Sequence, residues 1–89
     1  MKSRTTEKFR SLFAAAPIER QARIKVAYRL WQTHPEHPSL RFKKVHPRLP
    51  IYSVRVDLDW RAVGVLESGT LIWFWVGPHA QYDALLKSL

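Results

Sequence analysis

The chain has 89 residues, of which 46% are hydrophobic and 12% are aromatic. This length and apolar content predict one folded domain spanning residues 1–89, and the absence of cysteine excludes disulfides and cysteine-ligated zinc. Fifteen Lys and Arg residues against seven Asp and Glu residues give a net charge of +8, which indicates a polyanionic partner (RNA, DNA or an acidic protein segment) or else a merely soluble basic surface.

The first predicted elements are a short N-terminal segment and a helix. Lys2–Thr5 fits either an edge strand or a disordered tip. Thr6 fits a helix N-cap, and Glu7 follows it where the helix dipole favours an acid. Pro17 ends this helix and fits the first turn of the next one. The apolar positions have the i, i+3, i+4, i+7 spacing of one helix face: Phe9, Leu12, Phe13 and Ala16.

A second helix is predicted from Pro17 to Thr33. It carries two apolar stripes, which predicts that more than one of its sides is covered. Because the two helices join at Ala16–Pro17, they should form a tight antiparallel hairpin. The two stripes are Ile18, Ala22, Val26 and Leu30, and Ile24, Ala27, Tyr28 and Trp31.

Two proline-bounded loops flank a weaker strand signal. His34–Pro38 stops the second helix, and His46–Pro50 is the other loop. Between them, Leu40–Val45 alternates imperfectly between basic and apolar residues and is compatible with a strand.

From Ile51 the hydrophobic period becomes two, which indicates strands. Trp60–Glu67 is the next strand, Ser68–Gly69 is a hairpin turn, and Leu71–Val76 is apolar throughout, as in a strand buried on both faces. Tyr82–Leu89 is predicted to be a short C-terminal helix. The order of elements predicts an α+β fold, with a two-helix hairpin packed on a small, mostly antiparallel sheet of three to four strands. In the first strand, Tyr52, Val54, Val56 and Leu58 should share one face, and Ser53, Arg55, Asp57 and Asp59 the other.

Segments for secretion or membrane insertion are not expected. Residues 1–6 lack the apolar core of a signal peptide, and the longest apolar run, residues 71–76, is far shorter than the roughly 18 residues of a membrane span. A cytoplasmic location without membrane contact is therefore expected.

Four stretches of this chain, in this order, resemble the RelE/ParE toxin superfamily of bacterial type II toxin–antitoxin systems. They are His37–Lys44, Tyr52–Val56, Trp60–Gly64 and Trp73–Asp83, and they follow a helix hairpin as in that family. The resemblance implies a compact β-α-α-β-β-β domain without a cofactor. It also implies a cognate antitoxin that wraps the toxin, and operator DNA bound only by the toxin–antitoxin complex.

The resemblance leaves the toxic activity open between two targets. Ribosome-dependent RNase members cleave mRNA in the ribosomal A site without a metal: the ribose 2′-OH attacks the adjacent phosphate, leaving a 2′,3′-cyclic phosphate. ParE-type members inhibit DNA gyrase instead. A third hypothesis is a non-toxic relative that binds only its antitoxin and operator DNA. An mRNA endonuclease is the leading prediction.

The resemblance also implies which residues act. Arg61 matches a phosphate-binding arginine of the family, and Arg55 lies where RNase members often carry a lysine or arginine. His79 lies at or near a basic or histidine position after the last strand, and Tyr82 or Asp83 lies near a catalytic aromatic or acidic position. Phosphoryl transfer needs a base, an acid and cations for the charged phosphorane, and arginine suits the last role.

Each of these residues also has a purely structural alternative. His79 would be a hydrogen-bonding loop residue, Tyr82 a core residue that caps the sheet, and Asp83 a helix cap. Ser53 stands where some RNase members have a second lysine. The two arginines would instead form surface salt bridges with Asp57, Asp59 or Glu67.

Further basic residues are predicted to bind RNA or the antitoxin through charge. No metal site is expected, because His34 and His37 lack ligand partners at a suitable spacing. The predicted RNA-binding residues are Lys43, Lys44, His46 and Arg48. The predicted antitoxin-binding residues, on the helix hairpin, are Arg20, Arg23, Lys25 and Arg29.

Overall fold

The computed structural model describes residues 1–89 as three α-helices, five strands and one short 3-10 helix, Pro38–Leu40. The helices are α1 (Glu7–Ala15), α2 (Ile18–Thr33) and α3 (His79–Ser88). The strands are β1 (Lys2–Thr5), β2 (Lys43–Lys44), β3 (Ile51–Arg55), β4 (Trp60–Glu67) and β5 (Thr70–Pro78). The predicted α+β fold is confirmed.

The sheet has five strands in the order β1-β5-β4-β3-β2, one more than the upper number predicted. Lys2–Thr5 is the additional edge strand and runs parallel to β5, whereas the other neighbours are antiparallel. The sheet is therefore mixed. A parallel neighbour requires a crossover connection, and α1 and α2 lie within it.

The helix hairpin forms as predicted. The Thr6 hydroxyl accepts a hydrogen bond from the Phe9 backbone N–H at 3.1 Å and caps α1, while Pro17 separates the helices. Only one of the two apolar stripes of α2 is buried, so the prediction of a helix covered on more than one side is wrong. The buried residues are Ile24, Ala27 and Trp31, whereas Ile18 and Val26 are exposed.

The sheet separates two apolar clusters. On one face the helix hairpin packs against Val54 and Trp73, with the Trp31 and Trp73 rings in edge contact at 5.1 Å. On the other face α3 covers a smaller cluster that contains Trp75 and Tyr82. The helices therefore lie on both faces of the sheet, with α3 opposite the hairpin.

A β-bulge explains the uninterrupted apolar run of β5. Val63 pairs with Trp75 and Gly64 pairs with Trp73, so Phe74 has no partner on β4. This extra residue turns Trp73 and Trp75 to opposite faces, and both indoles are buried.

Three predicted boundaries are corrected. The strand predicted over Leu40–Val45 is reduced to two residues, because the chain first forms the 3-10 helix and then a left-handed turn at Arg41, with φ of 46°. The next strand ends at Arg55, so Leu58 is exposed in a turn. The last helix begins three residues earlier than predicted, at His79, after Pro78 at its N-cap.

Candidate functional site

Two arginines face each other at one end of the sheet. Arg55 is the last residue of β3 and Arg61 is its cross-strand partner on β4. Like charges directly opposite each other destabilise a sheet, yet neither arginine forms a salt bridge. The alternative in which the two arginines form surface salt bridges with Asp57, Asp59 or Glu67 is therefore wrong, and the pair is left available to an anion.

A third guanidinium adds to this charge. Partial burial lowers the pKa of Arg61 from its usual value, and the positive charges of Arg55 and Arg41 lower it further. Arginine nevertheless stays protonated in proteins. The three positive side chains repel one another, and a bound phosphate would offset this repulsion. We call Arg41, Arg55 and Arg61 the arginine cluster.

The guanidinium of Arg61 forms hydrogen bonds to the protein through one of its three nitrogens, Nη1. Its Nη1 donates to the backbone carbonyls of Asp57 at 2.7 Å and Trp60 at 3.0 Å. Its Nε and Nη2 have no protein acceptor, so they remain free to donate to an anion. Gly77, the partner of Arg61 on β5, allows the Trp75 ring to lie close, since a Cβ there would come within 2.8 Å of that ring.

His79 begins α3 beside this end of the sheet. Its backbone N–H donates to the carbonyl of Asp59, in the turn that precedes Arg61. Its Nδ1 lies 3.2 Å from a carboxylate oxygen of Asp83, which leaves Nε2 without a protein partner. Asp83 thus orients the imidazole, and the alternative in which it caps the helix is wrong, since no side chain caps α3.

Tyr82 connects the histidine to the core. Its ring packs edge-on against His79 with centroids 5.5 Å apart, and its hydroxyl donates to the buried Ser53 Oγ at 3.1 Å. Only 7% of Tyr82 is exposed. Tyr82 is therefore buried, as in its structural alternative, and its ring packs against the imidazole of His79. Its catalytic role stays a prediction.

The amino-acid sequence carries a family signature over most of its length. Residues 17–84 match the family model of ParE-like toxin domains. The chain belongs to this family. The resemblance to the RelE/ParE superfamily is thereby confirmed.

Solved structures share the fold of this ParE-like toxin domain. A chain of the RelB–RelE antitoxin–toxin complex from Methanococcus jannaschii is 20% identical with a TM-score of 0.70, the alignment covering 90% of this chain and 95% of that one. YafQ from E. coli is 14% identical (TM-score 0.73, 91% and 96% covered), and the YoeB/ParE toxin from Agrobacterium tumefaciens is 16% identical (0.68, 89% and 99%). Comparison with curated proteins found no match.

The predicted RNA-binding residues of the ParE-like toxin domain are divided by the edge strand β2. Lys43 pairs with Ser53, which shares its face of the sheet with the arginine pair, whereas Lys44 pairs with Tyr52 on the hairpin face. Arg48 is exposed in the following loop. Only Lys43 is therefore placed on the same face as Arg55 and Arg61.

His46 has a structural role in the protein, and its RNA contact stays a prediction. Its Nδ1 accepts hydrogen bonds from the backbone N–H groups of Arg48 and Leu49, so Nε2 carries the proton and donates to the Leu89 carbonyl at 3.0 Å. Both ring nitrogens are used, and the residue ties the β2–β3 loop to the end of α3.

The four basic residues predicted to meet an antitoxin fall into separate groups on α2. Arg20 and Arg23 face the β3–β4 turn, where Arg20 forms a salt bridge with Asp57 at 2.5 Å. Lys25 lies on the α1 side, 5.8 Å from the centre of the Phe13 ring. Arg29 is exposed. The antitoxin contact stays a prediction for all four.

Sequence reasoning missed two residues of this region, Arg41 and Asp57. Arg41 was predicted to lie in a strand, but its backbone is left-handed and it lies in a turn instead. Asp57 was placed among the exposed carboxylates, although its spacing to Trp60 is that of an aspartate that caps a turn.

The structure contains no group of three or more His, Asp or Glu residues arranged to hold a metal ion. None of its helices combines the length and apolar character needed to cross a bilayer.

Proposed function

We propose that this single ParE-like toxin domain is the toxin of a type II toxin–antitoxin system, and that it is a cytoplasmic, ribosome-dependent mRNA endonuclease. The observation that supports the proposal is the cross-strand pair of Arg55 and Arg61, neither of which forms a salt bridge, together with Arg41, whose positive charge acts on Arg61. Such a cluster suits the phosphodiester between two nucleotides of an RNA strand.

In the proposed reaction, the ribose 2′-OH attacks the adjacent phosphorus and the bond to the 5′-oxygen breaks. The products are a 2′,3′-cyclic phosphate and a 5′-OH, and no metal takes part. Arg61 offers Nε and Nη2 to the phosphate oxygens, and Arg55 and Arg41 add charge that stabilises the phosphorane. Nε2 of His79 exchanges a proton with the reacting oxygens, while Asp83 orients the ring.

The proposed partners are a cognate antitoxin, the ribosome with its mRNA, and operator DNA bound only by the toxin–antitoxin complex. Solved complexes of RelB with RelE and of DinJ with YafQ, whose folds are similar, support an antitoxin partner. An apolar groove of about 680 Å³ beside α2 also supports it. Val26 and Leu58 line this groove, and its charged lining is mixed, so it suits an amphipathic helix. The charged residues are Arg23, Arg55, Glu19 and Asp57.

The test is translation of a reporter mRNA in a bacterial cell-free extract, with mapping of the mRNA 5′ ends. The wild type should cut at A-site codons, and Arg61→Ala should lower the cutting rate by at least about 100-fold, since one preorganised donor contributes that much. Arg29→Ala is the matched control, because it removes the same charge from an exposed helix position.

Unimpaired translation with intact mRNA would overturn the nuclease proposal. A gyrase supercoiling assay would then test the second candidate, a gyrase inhibitor, which the match to ParE-like toxin domains favours. Activity in neither assay, with antitoxin binding retained, would identify a non-toxic relative.

A further inference from the structure

Asp57 lies outside the proposed site, yet both oxygens of its carboxylate accept hydrogen bonds within the protein. Its side chain is 11% exposed, between α2 and the turn that joins β3 to β4. Oδ1 accepts hydrogen bonds from the backbone N–H groups of Asp59 at 2.8 Å and Trp60 at 3.0 Å. Oδ2 accepts one from Arg20 Nη1. The carboxylate thus fixes the conformation of the turn and attaches it to α2.

The same turn supplies the acceptors that hold Arg61. The backbone carbonyl of Asp57 accepts from Arg61 Nη1, and so does the carbonyl of Trp60. Arg20 also lies 5.8 Å above the centre of the Trp60 ring, which adds a cation–π contact to the same connection. A continuous chain of contacts therefore runs from Arg20 through the Asp57 carboxylate and the turn carbonyls to the guanidinium of Arg61.

Such a support is needed at this position. The charges of Arg55 and Arg41 repel Arg61, and a long, flexible arginine side chain would move away from them into solvent. Groups that act on a reacting phosphate must be held within roughly 0.5 Å of the productive geometry by their surroundings. The turn carbonyls provide this restraint only while the turn keeps its shape.

We propose that Asp57, held by Arg20, is a positioning residue that sets the guanidinium of Arg61 for phosphate binding. The inference rests on the proposed function for its consequence in catalysis. The placement of Arg61 itself is a property of the free protein and is testable without any activity.

The neighbouring carboxylate provides a matched control. Asp59 carries the same charge in the same turn, but its side chain is 76% exposed, 3.8 Å from Arg20, and caps no backbone group. Asp59→Asn therefore removes one negative charge and leaves the turn intact. Asp57→Asn removes the charge opposite Arg20 while its amide oxygen still accepts from the turn, and Asp57→Ala removes both interactions.

The first measurement is the NMR signal of the Arg61 Nε–H group in the wild type and the three variants. A side chain restrained through Nη1 gives an Nε–H signal with a high order parameter. We expect Asp57→Ala to lower this order parameter the most, Asp57→Asn to be intermediate, and Asp59→Asn to resemble the wild type. If Arg61 is equally ordered in Asp57→Asn and in the wild type, while both are folded, the proposal is wrong.

The second measurement is cleavage of ribosome-bound mRNA at a range of ribosome concentrations. We expect Asp57→Asn to lower the rate at saturation by roughly 10- to 100-fold, as a small displacement of an acting group does, and to change the half-saturating concentration less than about threefold. A change in half-saturation alone would contradict the proposal. An inactive wild type would overturn the proposed function, and the NMR comparison would still decide the role of Asp57.

Discussion

At the scale of single residues, the hydrogen bond between Tyr82 and Ser53 distinguishes residues that support the site from those proposed to contact RNA. The Tyr82 hydroxyl is directed into the sheet, onto Ser53, and both residues are buried. Ser53 therefore occupies a position where a lysine would have to displace this contact. The polar atoms near this end of the sheet that lack a protein partner are Nε2 of His79 and Nε and Nη2 of Arg61.

This arrangement predicts the effect of Tyr82→Phe. The variant removes the phenol and leaves the Ser53 hydroxyl buried without its donor, so it should lower the free energy of unfolding by about 1–2 kcal/mol. Cleavage by the folded variant should stay within about threefold of the wild type, because the ring still supports His79. Urea unfolding and the cell-free cleavage assay measure the two effects. A loss of cleavage above tenfold in a folded variant would instead support the predicted catalytic role of Tyr82.

At the scale of elements, the Asp57 carboxylate couples α2 to the β3–β4 turn in a way that depends on pH. Desolvation by burial would raise the pKa of Asp57, but the backbone hydrogen bonds and the hydrogen bond and charge of Arg20 outweigh it, so the pKa lies below its usual value of 3.8. A carboxylate whose pKa is lowered by folding stabilises the folded state at a pH above its unfolded-state pKa. That stability is lost as the pH falls through the folded-state pKa.

The pH dependence of unfolding should therefore change in Asp57→Asn. In the wild type, this contribution is present above about pH 4, the pKa of an aspartate in an unfolded chain, and it disappears progressively at lower pH. The variant should be less stable at neutral pH and should lose less stability between pH 4 and pH 2.5. Urea unfolding across this range measures both. Asp59→Asn should follow the wild-type profile, and a wild-type profile in Asp57→Asn would show that the carboxylate has no such role.

Most helices and strands could be predicted from the sequence, because the residue patterns that indicate them are local. The i, i+3, i+4 spacing and Thr6 and Pro17 define the helix hairpin, and alternation defines the strands. The strand pattern predicted Arg55 and Arg61 in successive strands, and the resemblance predicted their role. What could not be predicted depends on tertiary contacts: the bulge at Phe74, the parallel pairing of Lys2–Thr5, and the turn at Asp57 that holds Arg61.

At the scale of the whole molecule, the net charge of +8 is distributed over two different faces of the sheet. The face under α3 carries the arginine pair, and the register of β2 adds Lys43 to it. The hairpin face receives Lys44, and α2 carries its own basic residues. The two faces thus suit different polyanions: RNA at the end of the sheet beneath α3, and an acidic antitoxin along α2.

Two adjacent lysines test this division. Lys43 and Lys44 are both exposed and carry the same charge, but their side chains leave opposite faces of β2. Lys43→Ala should weaken binding of a non-cleavable 2′-O-methyl RNA on the ribosome and reduce the salt slope of log K by about 0.7, the loss expected for one phosphate contact to a single strand. Lys44→Ala should change neither quantity, since its side chain lies on the face away from the arginine cluster. Equal effects of the two substitutions would mean that RNA responds only to net charge, and the assignment of one face to RNA would be wrong.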